Sequence, residues 1–441
     1  MAASNPKSLR AAAASGLLES WHITRHLLGM DSCVIISARY VCTNGSSLNK
    51  EQLFSALQKL IHMHPILCVM VRNEDSKPSF VKLETIDLSS VVHFSESNDL
   101  EAAIQRQLST RFDTSTQLPL WRVEVLNDNT VILAYHHGIG DGLSGVAFHR
   151  FLLLALEEGN TASFAEVTVP KSISLLPPIE AVTNLRPSIF KIISAVLSLF
   201  LPASWKRSYY VWSANPVSKT AGFTARVKLM TFSPENMAVF AKICRSHKAT
   251  ITSAVYVLAC AVLSRLVPAH SPAYRTLCAT VAISLRGVAG GSEDAFCDYV
   301  AAHTSYPPIH PAFQWSVAAS YATELQRQKS SCREEIGMIS LVANNIGGFM
   351  KGMLGNKRNA TFEISNAGRV AGISAGRHWT IERMAFAQSD LVLGPALKIN
   401  AIGDPTGALN ITLTWGDAAI DEEVVESFAT QFEEGFRALL V

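Results

Sequence analysis

A strand that runs directly into a turn and a helix is the feature that most constrains the fold of this chain. The stretch "VILAYHHGIGDGLSG", Val131 to Gly145, opens with an apolar, β-branched run typical of a buried strand. The run ends in His136 and His137, and three glycines and an aspartate follow within five positions. The next segment, "LSGVAFHRFLLLALEEGN", predicts a helix that stops near Gly159. We therefore expect the two imidazoles at a junction held by rigid elements on both sides, where functional groups often lie.

Strand and helix patterns alternate along the rest of the chain, which indicates an α/β protein. "LWRVEVL", the turn "NDN" and "TVILAYHH" predict a β-hairpin. In the first half, strand patterns at 33–41 and 66–72 flank a helix with Asn49 and Gln52 at capping-box spacing. The second half predicts helices after Ser233 and at 252–266, an amphipathic C-terminal helix, and strands at 223–232, 276–285, 361–366, 380–388, 396–402 and 408–415.

The length of the chain predicts two packed lobes. Its 441 residues are about two to three times a typical domain. We assign residues 1–175 to an N-terminal lobe that carries the histidines, 176–217 to a crossover segment, and 218–441 to a C-terminal lobe. Residues 1–14 are expected to form a loose arm; because they contain Lys7 and Arg10 and no acid, an organelle-transit sequence stays open as a minor alternative.

Charge and cysteine usage exclude several classes of function. The 38 basic and 36 acidic residues nearly balance, so a nucleic-acid partner is not expected. The eight cysteines form no CxxC pair, and most lie inside apolar runs. This pattern favours buried thiols in a reducing, cytoplasmic compartment over a disulfide framework or a zinc site.

The apolar run from Ile189 to Pro202 is the main candidate for membrane contact. It is too short to cross a bilayer and contains Lys191, so we predict no transmembrane segment. A buried or interfacial helix is expected instead, and peripheral membrane contact through residues 189–201 stays open.

Three interpretations compete for the histidine pair. A metal site is disfavoured because neighbours on a strand point to opposite faces, and no third ligand is evident; we therefore predict no metal. A pair of core histidines satisfied by backbone groups remains possible. General-base catalysis is the third interpretation: one imidazole enters a cleft while the other packs, and Gly138, Gly140 and Gly142 let a substrate approach the main chain.

The motif "HHGIGDG" resembles HHxxxDG, the signature of acyltransferases related to chloramphenicol acetyltransferase, BAHD enzymes and condensation domains of peptide synthetases. The resemblance extends over about residues 15–440. It is closest to the alcohol O-acetyltransferase branch, which tailors fungal secondary metabolites, because the following segments occur in that branch's order: "GLLESWHITRHLLG", "HPIL", "LPLWRVEVL", "ISLR", "SNAG" and "FAQSD". The DFGWG motif of plant BAHD enzymes is absent, and "LTWGDA" resembles it only superficially.

The resemblance implies two chloramphenicol-acetyltransferase-like lobes, each a mixed sheet flanked by helices, with a tunnel between them. His137 would be the catalytic base, whereas His136, Asp141, Gly142 and Arg286 would be structural, with Asp141 paired to Arg286. Possible oxyanion or substrate contacts are the backbone of Gly142 and the side chains of Asn366, Gln388 and Ser389.

The expected reaction is transfer of an acyl group, most simply acetyl from acetyl-CoA, to a hydroxyl of a small hydrophobic metabolite. Acetyl-CoA would be a co-substrate rather than a permanently bound cofactor, and we expect a monomer. Two alternatives stay open. One is an amide-forming, condensation-type transferase, and the other is a non-catalytic relative that keeps the tunnel as a binding site.

Overall fold

The computed structural model describes residues 15–74, 77–159, 164–268, 274–370, 378–389 and 391–440; the expected arm 1–14 and Asp390 lie outside these ranges. The strands are β1 Val34–Cys42, β2 Val69–Glu74, β3 Lys77–Lys82, β4 Thr85–Asp87, β5 Val92–Phe94, β6 Trp121–Val125, β7 Thr130–Tyr135, β8 Glu166–Thr168, β9 Val211–Trp212, β10 Ala225–Phe232, β11 Thr276–Leu277, β12 Ala279–Ser284, β13 Val300–Ser305, β14 Phe362–Arg369, β15 Trp379–Gln388, β16 Leu397–Gly403 and β17 Leu409–Gly416.

The α-helices are α1 Leu17–Leu27, α2 Lys50–Met63, α3 Leu88–Val91, α4 Leu100–Ser109, α5 Gly142–Glu157, α6 Ile179–Val182, α7 Ile189–Phe200, α8 Pro234–Ser246, α9 Ile251–Leu266, α10 Arg286–Ala289, α11 Trp315–Gln328, α12 Arg333–Met338, α13 Ile346–Lys351 and α14 Glu422–Ala438. Short 3₁₀ turns lie at Pro65–Cys68, His137–Ile139, Ala203–Trp205, Arg207–Tyr210 and Ile339–Asn345.

The first sheet has the order β15-β1-β7-β6-β5. Its first four strands are antiparallel, and β5 runs parallel to β6. Every residue of β7 is buried, because the strand lies in the middle of the sheet. The predicted hairpin is confirmed as β6 and β7, and its second strand delivers the histidine pair to one end of this sheet.

The second sheet has the order β10-β17-β16-β14-β12-β13 and mixes parallel and antiparallel pairs. Helices α9 and α14 pack against it, with α9 buried over most of its surface as its sequence predicts. The caps expected from the sequence are also present: Asn49 and Gln52 form the capping box of α2, and Ser233 caps α8. The mixed, two-lobed α/β architecture is thus confirmed.

Strand β15 does not follow the lobe boundaries that the sequence suggests. It belongs to the segment 218–441, yet it pairs with β1 in the first sheet, with Gln388 opposite Val34. At the same end it touches the second sheet, where Thr414 donates a hydrogen bond to the carbonyl of Gln388 at 3.0 Å. The first sheet therefore borrows its edge strand from the C-terminal half, and this strand joins the two lobes.

Two predicted strands are shorter than expected, and the crossover helix is less buried. Residues 65–68 form a 3₁₀ turn after Pro65, so β2 begins only at Val69. The strand predicted at 276–285 is interrupted at Cys278. Helix α7 forms as predicted, but its apolar residues are largely exposed rather than buried.

All eight cysteines are buried, as their apolar contexts predict. Among the described residues, no single helix is long and apolar enough to cross a bilayer; α8 and α9 pass that test only as a pair bent by 93°. A cytoplasmic location and a monomeric state stay predictions.

Candidate active site

The histidine turn is locked between β7 and α5. Asp141 is the N-cap of α5, since its Oδ1 accepts a hydrogen bond from the backbone N–H of Ser144 at 3.1 Å. The hydroxyl of Tyr135, at the end of β7, donates to the carbonyl of Asp141 at 2.7 Å. The turn is therefore tied to the strand before it and the helix after it.

The two histidines differ in surroundings, as the alternation of a strand predicts. His136 is 1% exposed, and its Nδ1 accepts a hydrogen bond from the N–H of Gly138 at 2.9 Å. His137 lines a cavity of about 300 Å³ between the lobes, together with Leu18, Trp21, His22, Arg25, Asp31, Asp141, Gly142, Ala282, Val300, Ala301, Ala302, Glu335, Ile336, Ile339, Glu363, Ser365, Gln388, Ser389 and Lys398. His136 therefore stabilises the turn through its hydrogen bond to Gly138, and of the two histidines it is His137 that lines the cavity.

The glycines of the turn have a role that the sequence analysis did not predict. A Cβ on Gly140 would lie 2.7 Å from Cβ of Ser144, and one on Gly138 would lie 3.1 Å from Nδ1 of His136. These two glycines are needed for packing within the protein. Gly142 alone of the three lines the cavity, and its missing Cβ faces the ring of Phe386 at 3.1 Å.

Asp141 and Arg286 form the buried ion pair that the family resemblance implies. Nη2 of Arg286 lies 2.5 Å from Oδ1 of Asp141, and both side chains are almost completely buried. Arg286 also donates to the carbonyl of Ala295 at 2.6 Å, and the N–H of Tyr299 donates to Oδ2 of Asp141 at 3.3 Å. The loop between β12 and β13 is thereby fixed to the histidine turn.

Asp298 and His22 are site residues that sequence reasoning missed. Asp298 is buried just before β13, with Oδ1 3.7 Å from Nδ1 of His137 and Oδ2 3.3 Å from Nε2 of His22. The rings of His22 and His137 stack at 3.8 Å. In the sequence, "WHITRH" belongs to a segment shared with the family, and its helical spacing, three residues apart, places His22 and Arg25 on the cavity side of α1.

A metal ion has to be considered at His22, His137 and Asp298. Each of these residues offers one ligand atom, and the three atoms lie within 4.8 Å of one another. A histidine binds a metal along the lone pair in the plane of its ring. The planes of His22 and His137 are parallel to within 5° and stacked, so one ion cannot lie in both planes. This arrangement does not fit a metal centre.

Burial governs the protonation of these groups. It lowers the pKa of His137, with Arg25 adding to the effect, and lowers the pKa of both His22 and His136 well below 6.5. Burial also raises the pKa of Asp298 well above the ordinary value for a carboxyl group. His137 is therefore neutral at neutral pH, which is the state a proton acceptor needs.

Two further groups of charged side chains line the cavity. Arg25 pairs with Asp31 at 2.6 Å, and Asp31 accepts a hydrogen bond from the hydroxyl of Ser389. Glu363 accepts from Lys398 at 2.7 Å and from Gln388 at 2.9 Å. Gln388 and Ser389 thus lie in the cavity as predicted, but each already donates to a carboxylate.

Asn366 lies elsewhere. It lines a second cavity of about 540 Å³ together with Pro234, Met237, Ala238, Ala241, Arg245, Ile251, Gly368, Arg369, Gly403, Thr406, Gly407, Ala408 and Leu409. Its amide donates to the hydroxyl of Thr252 at 3.0 Å and its oxygen accepts from the N–H of Gly368 at 2.8 Å. Its neighbour Ser365 lines the first cavity, so the middle of β14 lies between the two.

Known proteins share both the sequence pattern and the fold. The chain is 23% identical to the probable alcohol acetyltransferase FCK4 of Fusarium pseudograminearum over 97% of this chain and 95% of the relative. It is 24% identical to the probable alcohol acetyltransferase crmB of Aspergillus fumigatus over 92% and 95% of the two chains. The solved structure of TRI3 trichothecene 15-O-acetyltransferase from Fusarium sporotrichioides matches with a TM-score of 0.71 and 13% identity, covering 100% of this chain and 96% of that one.

The first condensation domain of the calcium-dependent antibiotic (CDA) synthetase has the same fold, with a TM-score of 0.60, 13% identity and coverage of 99% and 97%. A model of the alcohol acetyltransferase family matches residues 14–436. The chain therefore belongs to the alcohol acetyltransferase family and is an acyltransferase.

Proposed function

We propose that this protein transfers an acyl group, with acetyl the simplest case, from acyl-CoA to a hydroxyl of a small hydrophobic secondary metabolite, with His137 as the general base. The observation that carries the proposal is the position of His137, a neutral imidazole in a cavity between the lobes, on a turn held by the Asp141–Arg286 pair.

The proposed mechanism requires one tautomer of His137, and the neighbouring His22 and Asp298 are placed to favour it. Arg25 can only donate, so Nδ1 of His22 accepts its hydrogen bond at 2.9 Å, and neutral His22 carries its hydrogen on Nε2. Nε2 of His22 lies 3.3 Å from Oδ2 of Asp298, and Oδ1 of Asp298 lies 3.7 Å from Nδ1 of His137; neither contact has hydrogen-bond geometry in this structure. With its own hydrogen on Nδ1, His137 keeps an unprotonated Nε2 to take a proton from a substrate.

In the proposed reaction, Nε2 of His137 removes the hydroxyl proton while the alcohol oxygen attacks the thioester carbonyl. The oxyanion that forms collapses, the carbon–sulfur bond breaks, and the imidazolium returns the proton to the CoA sulfur. Burial raises the pKa of Asp298, so its carboxyl group favours the neutral form while His137 is neutral. An imidazolium at His137 favours the carboxylate, so an ionised Asp298 would stabilise the charge that develops on His137.

The oxyanion donors are the least defined part of the site. Ser389 donates its one hydrogen to a carboxylate, Gln388 uses one of its two amide hydrogens on Glu363, and Asn366 lies in the second cavity. Lys398 uses one of its three hydrogens on Glu363, which leaves two for a substrate oxygen. We propose Lys398 and the N–H of Gly142 as donors.

The two cavities suggest separate sites for the two substrates. Leu18, Trp21, Val300, Ile336 and Ile339 give the first cavity apolar walls that suit a hydrophobic alcohol. The second cavity holds Arg245 and Arg369 near the N-terminus of α9, a setting that favours the phosphates of CoA. In this proposal the thioester reaches His137 past Ser365 and Asn366 of β14.

The test is incubation of the purified protein with acetyl-CoA and a panel of hydrophobic alcohols, each paired with the amine of the same skeleton. Release of CoA thiol and the mass of the product are measured. We expect alcohol-dependent thiol release and an ester product. Acylation of the amines only would replace the proposal by amide formation, and the absence of both thiol release and acetyl-CoA binding would leave a non-catalytic binding protein.

A further inference from the structure

Helix α7 lies on the protein with its apolar side facing outward. Its half-buried positions are Lys191, Ile192, Ala195 and Ser198, one side of the helix, and they face the protein body. The opposite side is exposed and consists of Ile189, Phe190, Ile193, Val196, Leu197 and Phe200. None of the described residues of α7 belongs to a buried hydrophobic cluster of the fold.

The aromatic side chains in and just after α7 are among the most exposed large hydrophobic side chains of the described residues. Phe190 is 81% exposed, Phe200 is 82% exposed, and Trp205, just beyond the helix, is 74% exposed. An exposed apolar patch of this kind marks a surface that is covered in the working protein. We name the patch formed by Ile189, Phe190, Ile193, Val196, Leu197, Phe200 and Trp205 the α7 face.

The charges of the chain segment that contains α7 are all of one sign. Between Glu180 and Glu235 the chain has no acidic residue and seven basic ones: Arg186, Lys191, Lys206, Arg207, Lys219, Arg226 and Lys228. The whole chain, by contrast, has nearly equal numbers of acids and bases. Lys206 and Arg207 directly follow Trp205, a combination that suits the headgroup region of a membrane with anionic lipids.

We propose that the α7 face binds the surface of a lipid bilayer that contains anionic phospholipid. The helix has 12 residues and is about 18 Å long, too short to span a bilayer, so it lies in the plane of the interface. A membrane fits better than a protein partner because the exposed Phe, Ile, Leu and Trp side chains are followed directly by Lys206 and Arg207. The nearby acids Glu334 and Glu335 already accept contacts from Ser188 and Lys191.

The α7 face adjoins the wall of the first cavity. Nζ of Lys191 lies 2.6 Å from Oε1 of Glu335, and the backbone N–H of Ser188 donates to Glu334 at 3.2 Å. Glu335 lines the cavity and its side chain is 52% exposed, so it lies at a mouth. Membrane docking through α7 would bring this mouth next to the lipid, where hydrophobic alcohols concentrate.

The test is co-sedimentation of the purified full-length chain with vesicles of phosphatidylcholine, alone or mixed with phosphatidylserine. We expect binding to both, stronger with phosphatidylserine and weakened by salt. The double variant Phe190→Ser/Phe200→Ser should reduce the partition coefficient at least about tenfold, because two fully exposed apolar anchors are lost. Lys206→Ala/Arg207→Ala should reduce only the preference for phosphatidylserine.

The matched control is Leu154→Ser/Phe164→Ser, which removes two exposed apolar side chains outside the α7 face and should leave vesicle binding unchanged. Melting temperatures show whether each variant is folded. The proposal is overturned if the wild-type protein does not bind vesicles, or if the Phe190→Ser/Phe200→Ser variant binds them as well as the wild type does. A dimer that this substitution converts to a monomer, without vesicle binding, would assign the face to a second copy of the chain. Binding is measured without acyl transfer, so it stands or falls independently of the proposed reaction.

Discussion

A small group of buried side chains surrounds His137. Arg25 donates to Nδ1 of His22, Nε2 of His22 lies 3.3 Å from Oδ2 of Asp298, and Oδ1 of Asp298 lies 3.7 Å from Nδ1 of His137. Each contact is short-range, yet the four residues come from three separate parts of the chain. This explains why the signature histidine was evident in the sequence, whereas the carboxyl group beside it was not.

The pH dependence of acyl transfer should reflect the lowered pKa of His137. Burial disfavours the imidazolium, so the base form persists below the ordinary histidine pKa of 6.5. We expect kcat/KM to be constant above pH 6.5 and to fall only as the pH drops through the lowered value. An acidic limb centred above pH 6.5 in the measured profile would show that the base is a different group or that its charge is stabilised.

Asp298 can be tested as a positioning residue. In the proposed mechanism, Nδ1–H of His137 faces a carboxylate oxygen of Asp298. Asp298→Asn can place an N–H group there instead, which favours the tautomer of His137 with its hydrogen on Nε2. We expect kcat to fall by about a hundredfold or more while KM for acetyl-CoA stays near the wild-type value. The control is Asp294→Asn, four residues earlier, whose carboxylate pairs with Arg150 at the surface. Equal kinetics for the two variants would remove Asp298 from the mechanism.

At the scale of elements, the ion pair of Asp141 and Arg286 connects the turn before α5 to the loop between β12 and β13. Asp141 also caps α5, so a single carboxylate begins the helix, holds the arginine and receives the N–H of Tyr299. The sequence predicted this pair only through the family resemblance, because 145 residues separate its members.

A double-mutant cycle tests the contribution of this pair to stability. Breaking a buried pair from one side leaves an uncompensated charge and should lower the free energy of unfolding by about 3–5 kcal/mol. Asp141→Asn and Arg286→Ala should each show this loss in denaturant unfolding, and the double variant should lose less than the sum. Arg150→Ala, which breaks an exposed pair, should cost less than about 1 kcal/mol. Additive losses at Asp141 and Arg286 would contradict the coupling.

The elements that could be predicted are those defined by local chemistry. Asn49 with Gln52 and Ser233 with Pro234 mark helix starts through hydrogen bonds within one turn, and β7 is evident from its apolar run. Strand β15 could not be assigned to the first sheet, because pairing between β15 and β1 joins residues that are more than 300 positions apart. Asp298 and Lys398 could not be assigned to the site for the same reason. The exposure of the apolar side of α7 could not be predicted either, because it depends on which side of the helix packs against the protein body.

Across the molecule, the candidate active site lies where the two lobes meet. His137 comes from the first sheet, Asp298 and Arg286 come from loops of the second, and His22 comes from α1. Strand β15 links the lobes and ends at Gln388 beside the cavity. In the proposed reaction, a single neutral imidazole, that of His137, takes the proton in the cavity between the lobes.

The most direct test of this central claim is the turnover of His137→Ala with acetyl-CoA and an alcohol acceptor, compared with His136→Ala. We predict that His137→Ala lowers kcat by about 10²–10⁴-fold, with KM for acetyl-CoA and the melting temperature near the wild-type values. His136→Ala should act mainly by lowering the melting temperature, because its ring is buried within the turn. An active His137→Ala enzyme, or an inactive but stable His136→Ala enzyme, would contradict the assignment of the general base.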